Sequence, residues 1–292
     1  MIVALYGRQQ NVTSVPFIEE LVKALHEASV DVWIYESFLN FINRHATTKI
    51  ELPVFAANED IVNKVDIFFS IGGDGTILDT IEMVQDSGIP VLGINTGRLG
   101  FLSSINKSEI HKAINCLQKG LYSLDPRTLL RLESNKTLFG KVNYALNELT
   151  IHKKDSASMM TVHTYLNGEY LNSYWADGLI IATPTGSTGY SMSCGGPIIM
   201  PQSENFVITP IAPHNLNVRP IIVSDKSVIS LEVQGRSYYF QASLDSRTVT
   251  IDSSIQLAAR KEDFMLNLVR LDNENFLGTL RNKLNWGLDL RN

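Results

Sequence analysis

The chain has 292 residues, 44% of them hydrophobic and 19% charged, which is a globular composition with length for one large domain or two mid-sized ones. Its 25 Lys and Arg against 30 Asp and Glu give a formal net charge of −5, which argues against a broad duplex-binding face and a polybasic membrane anchor, since both need a basic excess. Cys116 and Cys194 are the two cysteines, too few for a secreted disulfide framework and without a CxxC pair.

The segment Ile2–Tyr6 is a short apolar run without a basic flank, so it reads as a first strand and not as a signal peptide. No apolar run approaches the roughly 18 residues of a membrane span, and a cytoplasmic location without membrane or nucleic-acid partners is expected. Phe17, Leu21 and Leu25 form one stripe of a helix over 14–28. Val30–Tyr35 is β-branched and aromatic, a short helical stretch follows around Phe38–Asn43, and Val65–Ile71 reads as a buried strand. Gly72-Gly73-Asp74-Gly75-Thr76 ends that strand, a helix is predicted over Ile77–Gln85 with Gly88 beyond it, and Ile89–Asn95 is another strand. Asn106-Lys107-Ser108-Glu109 fits a capping box for a helix that stops at Gly120. Strands alternating with helices imply βαβ units and a mostly parallel sheet.

From about Pro126 the pattern changes to short strands: Leu129–Glu133, Asn143–His152, Met159–Leu166, Gly178–Thr183, Phe206–Ile211, Ser227–Gln234, Tyr238–Leu244, Ser254–Arg260 and Met265–Arg270. Asn167-Gly168 is a hairpin signal, because both residue types tolerate positive φ. Phe276, Leu277, Leu280 and Leu284 stand at helical spacing in the tail. The expected fold is therefore α/β plus all-β. A Rossmann-like α/β domain over 1–125 is joined by a helical tail, 271–292, that packs back on it. An antiparallel β-sandwich occupies 126–270.

The Gly72–Thr76 turn is the first candidate site. Backbone amides freed where a strand turns into a helix suit a phosphate. Asp74 is anomalous there, because a carboxylate repels phosphate. It is suited to accept a proton from a hydroxyl or to hold a divalent ion, or it simply caps the helix. The segment lacks the G-x-x-x-x-G-K-[ST] string, and Leu78 stands where G-x-G-x-x-G needs its last glycine.

Thr183–Pro197 is dense in hydroxyls and glycines and carries Tyr190, which fits either a polar-ligand loop or a long structural turn. Asn147-Glu148 and Asp177-Gly178 place polar groups beside apolar strands. They are either solvated strand ends or acceptors for ribose hydroxyls and an adenine amino group. The six histidines show no paired metal-ligand spacing.

Gly72-Gly-Asp-Gly-Thr76, Asn95-Thr-Gly-Arg-Leu-Gly-Phe-Leu102, Asn147-Glu148, Asp177-Gly178, Thr183-Pro-Thr-Gly-Ser-Thr-Gly-Tyr190 and Thr209-Pro-Ile-Ala-Pro-His214 occur in that order. Together they resemble the NAD kinases over nearly the whole chain. The Gly-Gly-Asp-Gly string is shared with 6-phosphofructokinases and diacylglycerol or sphingosine kinases, whereas the Asp-Gly and Thr-Pro-Thr-Gly-Ser-Thr-x-Tyr pair is far more specific. The resemblance implies transfer of the γ-phosphoryl of ATP, with Mg²⁺ or another divalent metal held mainly through the ATP, to the 2′-hydroxyl of the adenosine ribose of NAD. Asp74 would then be the general base, with Gly75 in the same turn and Phe101 against an adenine ring. Asn147 and Glu148 would bind the ribose and phosphate region, and Asp177 the nicotinamide half. Thr185, Thr188, Gly189, Tyr190, Ser191, Met192 and Ser193 would line the pocket, and Ala212 would contact the ligand. The resemblance further implies a homodimer or homotetramer assembled on the sandwich domain, with an active site drawing on both halves of the chain.

Three departures stand out, one being that the Lys or Arg residues some members use near the donor phosphates have no assignable counterpart in this sequence. Gly189 replaces a usual Ala, and Asp245-Ser246-Arg247 stands where many members read Asp-Gly-Gln; Arg247 so close to a pocket invites a phosphate contact. The alternatives are another kinase of the Gly-Gly-Asp-Gly type, with a lipid or sugar acceptor, and a non-catalytic NAD(P)-binding regulator.

Overall fold

The computed structural model describes residues 1–9, 12–97, 100–103, 105–154, 159–271 and 275–286. The chain divides into two compact units, Met1–Pro126 with Leu266–Asn292, and Arg127–Met265. Among the described residues no helix is long and apolar enough to cross a membrane.

In the first unit the strands run in the order Val54–Phe55, Asp31–Tyr35, Ile2–Gly7, Ile67–Gly72, Val91–Asn95, all parallel. Leu268, in the strand Gln256–Leu271, extends the sheet beside Val91. Ile67–Gly72 and Val91–Asn95 are nearly continuous apolar runs because helices or loops cover both of their faces, and their side chains are buried accordingly. The helix Val15–Glu27 buries Phe17, Ile18, Leu21 and Leu25 in this core, and Ile110–Gln118 buries Ile110, Ala113, Ile114 and Leu117. Each such Phe, Ile or Leu side chain contributes roughly 1.5–3 kcal/mol when fully buried. The Asn106–Glu109 capping box is present, with Glu109 Oε2 accepting from the Asn106 amide at 3.1 Å. The tail forms the helix Phe276–Leu284, which buries Leu280.

Chain order reverses between Ile2–Gly7 and Ile67–Gly72. One neighbour of the first strand precedes it along the sheet, while the next connections proceed the other way. Open α/β sheets bind ligands at the carboxyl ends of the strands beside such a reversal. The Gly72–Thr76 turn lies at one of those ends. The helix after it spans Asp74–Val84 and so starts three residues before the predicted Ile77. Gly72 at φ +155° and extended Gly73 complete the turn within two residues, leaving Asp74 already helical.

In the second unit six strands make one antiparallel sheet in the order Ile221–Ser224, Asn205–Ile211, Gly178–Ala182, Glu148–Lys153, Tyr239–Leu244, Arg247–Asp252. A second antiparallel layer holds Glu169–Ala176, Met160–Leu166, Ile229–Gly235 and the first part of Gln256–Leu271. Leu149, Ile151, Leu179, Ile181, Phe206 and Ile208 of one layer share a core with Val162, Tyr174, Leu231 and Leu257 of the other, which is a sandwich. Asn167 and Gly168, at φ +52° and +84°, form the expected two-residue hairpin turn.

Three strand predictions change. Asn143–His152 is broken into Tyr144–Ala145 and Glu148–Lys153, because the amides at the break are drawn to a side chain, Asp245. Ser254–Arg260 and Met265–Arg270 are one strand, Gln256–Leu271. Its charged middle is satisfied in place, Lys261 by Asp225 at 2.5 Å and Glu262 by Arg131 at 3.2 Å. Glu169–Ala176 is a strand whose Asn172 and Ser173 conceal any apolar alternation.

Candidate active site

At the carboxyl ends of the first unit's central strands, a pocket of about 250 Å³ is lined by Arg8, Ser14, Phe38, Ile71, Gly72, Gly73, Gly75, Thr76 and Thr96. A Cβ on Gly72 would lie 2.2 Å from Thr76 Oγ1, so the residue must be glycine for the helix to begin here. Arg8 follows the first strand, donates from Nη2 to the Gly75 carbonyl at 2.9 Å, and is paired with Asp79 through Nε and Nη2. It puts at this turn a cation that the sequence reading did not assign.

Asp74 does not cap its own helix; Gly73 is the N-cap, without a side-chain bond. The carboxylate instead turns to the segment after the strand Val91–Asn95. Oδ2 accepts from the Phe101 amide at 2.7 Å. Oδ1 accepts from the amides of Leu102 at 3.0 Å and Ser103 at 3.2 Å and from Ser103 Oγ at 3.1 Å. The approach is so close that a Cβ on Gly100 would lie 1.9 Å from Oδ1. Asp74, Gly75 and Phe101 thus come together, with the Phe101 ring buried. The signal for this was the register Gly72 to Asn95, which sets the two strand ends side by side.

The second unit holds the other group. Asp245, at φ +52° in the tight turn between Tyr239–Leu244 and Arg247–Asp252, accepts from the amides of Leu146 (2.8 Å), Asn147 (2.8 Å) and Glu148 (3.1 Å). Those bonds break the strand and present Asn147-Glu148 as a kink. The Asn147 carbonyl accepts from the Thr183 amide at 2.9 Å, and a Cβ on Gly186 would lie 2.1 Å from that same oxygen. The loop after Gly178–Ala182 is therefore seated directly on the kink. Its hydroxyls are largely spent on holding its own shape. Thr183 Oγ1 donates to Leu146 O, Ser187 Oγ to Pro184 O, and Ser191 Oγ bonds Thr209 Oγ1. Buried Arg127 donates to Thr185 Oγ1 at 3.1 Å. Thr188 bonds the Thr185 carbonyl, Gly189 lies against Asn147 and Glu148, and Tyr190, Met192 and Ser193 belong to a four-residue helical turn whose Tyr190 and Ser193 are exposed.

Glu148 Oε2 is buried and has no hydrogen-bond partner among the described residues. Burial first, and the Asp245 charge second, push its carboxyl up to about 8. Burial also raises Asp245, against the three amides and Arg247 that favour its anion. A carboxyl raised in the folded state retains a proton that the unfolded chain releases above about 4.5, so it costs stability as pH climbs from there to about 8. Glu148→Gln removes that titration. Its stability relative to the parent chain is expected to rise on going from about pH 5 to about pH 9, by on the order of a few kcal/mol, read from urea unfolding at each pH. A difference that stays flat with pH would show that Glu148 is ionised throughout.

Asp177 pairs with Lys153 at 2.6 Å, a partner on the neighbouring strand that the sequence reading missed. Its amide donates to the Ile211 carbonyl, next to Ala212, an exposed residue in the left-handed region at φ +42°. Burial, followed by the charges of Cys194, Asp177 and Glu148, raises the Tyr190 hydroxyl pKa. The Arg247 guanidinium grips the carbonyls of Val142 and Tyr144 and lies 6.0 Å over the Phe139 ring, which supports the segment leading to Asn147. Among the described residues, no group of three or more His, Cys, Asp or Glu is placed to hold a metal ion.

Family models cover both units: an ATP-NAD kinase N-terminal domain matches residues 3–122 and an ATP-NAD kinase C-terminal domain matches residues 146–266. The NAD kinase of Cytophaga hutchinsonii is 50% identical over 295 residues, covering 100% of both chains. Among solved structures, yeast NADH kinase complexed with NADH is similar with a TM-score of 0.88 at 26% identity, over 100% of this chain and 89% of that one. An NAD kinase from Archaeoglobus fulgidus in complex with ATP is similar with a TM-score of 0.73 at 26% identity, over 98% and 99%.

Proposed function

The chain belongs to the ATP-NAD kinase family, and from that premise we propose that it transfers the γ-phosphoryl group of ATP to the 2′-hydroxyl of the adenosine ribose of NAD, with Asp74 as the general base. The observation that carries this reading is a carboxylate fixed by four hydrogen bonds beside a glycine turn at the reversal point of a parallel sheet. Phosphoryl transfer asks a protein for positioning and charge neutralisation more than for covalent chemistry. The amides of the Gly72–Thr76 turn face the donor phosphates at the positive end of Asp74–Val84. Arg8 brings positive charge to the same pocket, tempered by Asp79. The divalent metal enters as part of the MgATP substrate, and no step is assigned to it on protein ligands.

In the second unit, Asn147 and Glu148 recognise the ribose and phosphate region of NAD, and Asp177 and Ala212 the nicotinamide half. The loop from Thr185 to Ser193 lines the pocket, with Tyr190 as an exposed flat face. Glu148 serves as a hydrogen-bond donor while it keeps its proton, which suits an acceptor oxygen of the dinucleotide. A homodimer or homotetramer and a cytoplasmic location complete the reading and rest on the sequence resemblance. The test is one assay: γ-labelled ATP with the purified chain and NAD, diacylglycerol or fructose 6-phosphate in separate reactions. Labelled NADP is the expected product. Label on the lipid or sugar, or NAD binding without turnover, overturns the assignment in favour of another kinase or of a regulator.

A further inference from the structure

The two oxygens of Asp74 are not equivalent. A carboxylate offers about two acceptor sites on each oxygen. Oδ1 receives three donors, the amides of Leu102 and Ser103 and the hydroxyl of Ser103, at 3.0, 3.2 and 3.1 Å. Oδ2 receives one, the Phe101 amide at 2.7 Å. Among the described residues, Oδ1 is filled and Oδ2 keeps an open acceptor direction.

Ser103 is itself held from the far side. It is 1% exposed, and a Cβ on Gly93 would lie 2.8 Å from its Cα and 2.6 Å from Ile77 Cδ1. Gly93 therefore lets Ser103 sit directly on the strand Val91–Asn95, wedged between that backbone and the Asp74 carboxylate.

We propose that Ser103 is a positioning residue that fixes the rotation of the Asp74 carboxylate and so selects Oδ2 as the oxygen that takes the proton. This rests on the reading of Asp74 as the general base. In the step, the acceptor hydroxyl oxygen bonds to the γ-phosphorus as its O–H bond breaks. The proton passes to Asp74 Oδ2, the bond from the γ-phosphorus to the bridging oxygen breaks, and that oxygen leaves on ADP. Without Ser103 Oγ the carboxylate keeps its three backbone amides but loses the one side-chain donor among its four partners, which widens its swing about χ2 and so misdirects Oδ2 without touching either substrate.

Steady-state kinetics on Ser103→Ala, Ser103→Cys and Ser103→Thr, each with a thermal melt, test this. Ser103→Ala is expected to lower kcat about ten- to hundredfold while the KM values for NAD and ATP stay within about twofold, as for an interaction felt only in the transition state. Ser103→Cys keeps the size with a weaker donor and should fall between, and Ser103→Thr, which restores the hydroxyl but adds a methyl in a buried site, should recover part of the loss where its melt matches the parent's. Equal kcat for the parent, Ala and Cys chains, a change confined to KM, or a loss of turnover that neither Thr nor Cys relieves in folded protein overturns the inference. Asp74→Asn run alongside separates the two levels. If it is inactive while Ser103→Ala turns over normally, the base stands and Ser103 is not its positioning residue. If it too turns over normally, the base assignment itself falls.

Discussion

Asp74→Asn is expected to lower kcat by about 10²- to 10⁴-fold, the usual worth of general-base assistance, which corresponds to roughly 3–5 kcal/mol of barrier. The KM for NAD should move far less. The hydrogen bonds add a second expectation. The Asn oxygen can replace only one carboxylate oxygen, so if it takes the Leu102 and Ser103 amides, its NH₂ group faces the Phe101 N–H. One buried donor is then left unmet, at about 1–3 kcal/mol. The variant should accordingly melt earlier as well as turn over slowly. The stability loss can be read independently of substrate, so it calibrates how much of the kinetic loss comes from a displaced loop. Turnover near that of the parent chain would remove Asp74 from the chemistry.

Gly186→Ala carries the largest expected effect on folding. Its Cβ would lie 2.1 Å from the Asn147 oxygen, 2.5 Å from its carbonyl carbon and 2.8 Å from its Cα. All three are backbone atoms, and the segment is pinned by Asp245 on one side and by the Thr183 amide on the other. A side-chain tip would swing away, but this backbone has nowhere to go. Overpacking of this kind costs typically about 1–3 kcal/mol and more where relaxation is blocked, so a loss of at least about 3 kcal/mol in urea unfolding is expected. Gly189→Ala is the control. Its closest contact is 3.2 Å, to Glu148 Oε2 and the Gly186 carbonyl, with φ −94° and ψ −131°, so it meets a tight fit but no backbone clash. That chain should lose clearly less stability than Gly186→Ala. Equal stability for the two variants would mean that the loop is not seated on the Asn147 kink.

These two sites differ in how far the sequence exposed them. The strand before Asp74 was legible because Ile67–Ile71 is an apolar run interrupted only by Ser70 and ended by glycines, and a carboxylate amid those glycines was conspicuous. What Asp74 binds was not legible, since the Phe101–Ser103 amides follow a different strand and reach it only through the sheet register. The kink at Asn147 was hidden for a related reason. Hydropathy continues across Tyr144–Ile151, and nothing local announces that Asp245 will draw three successive amides out of a ladder. Composition likewise flagged the hydroxyls of Thr183–Pro197 without saying which way they face. In the fold, Thr183, Thr185, Ser187 and Ser191 turn inward to partners within the second unit. Arg247 shows the limit of reading charge from sequence, since its guanidinium is engaged by two backbone carbonyls that nothing local announces.

The Asp245 carboxylate also sets a schedule. It reaches back 99, 98 and 97 positions to the amides it satisfies, whereas Asp74 meets its loop within 27 to 29. Contacts between distant positions form late, because the chain must first lose the entropy of a long closure. During synthesis the Leu146–Glu148 amides emerge long before their acceptor does, and until Asp245 arrives they have only water to bond. The Asp74 contacts of the first unit are therefore set early, while the Asn147-Glu148 kink of the second waits for a residue in the last fifth of the chain.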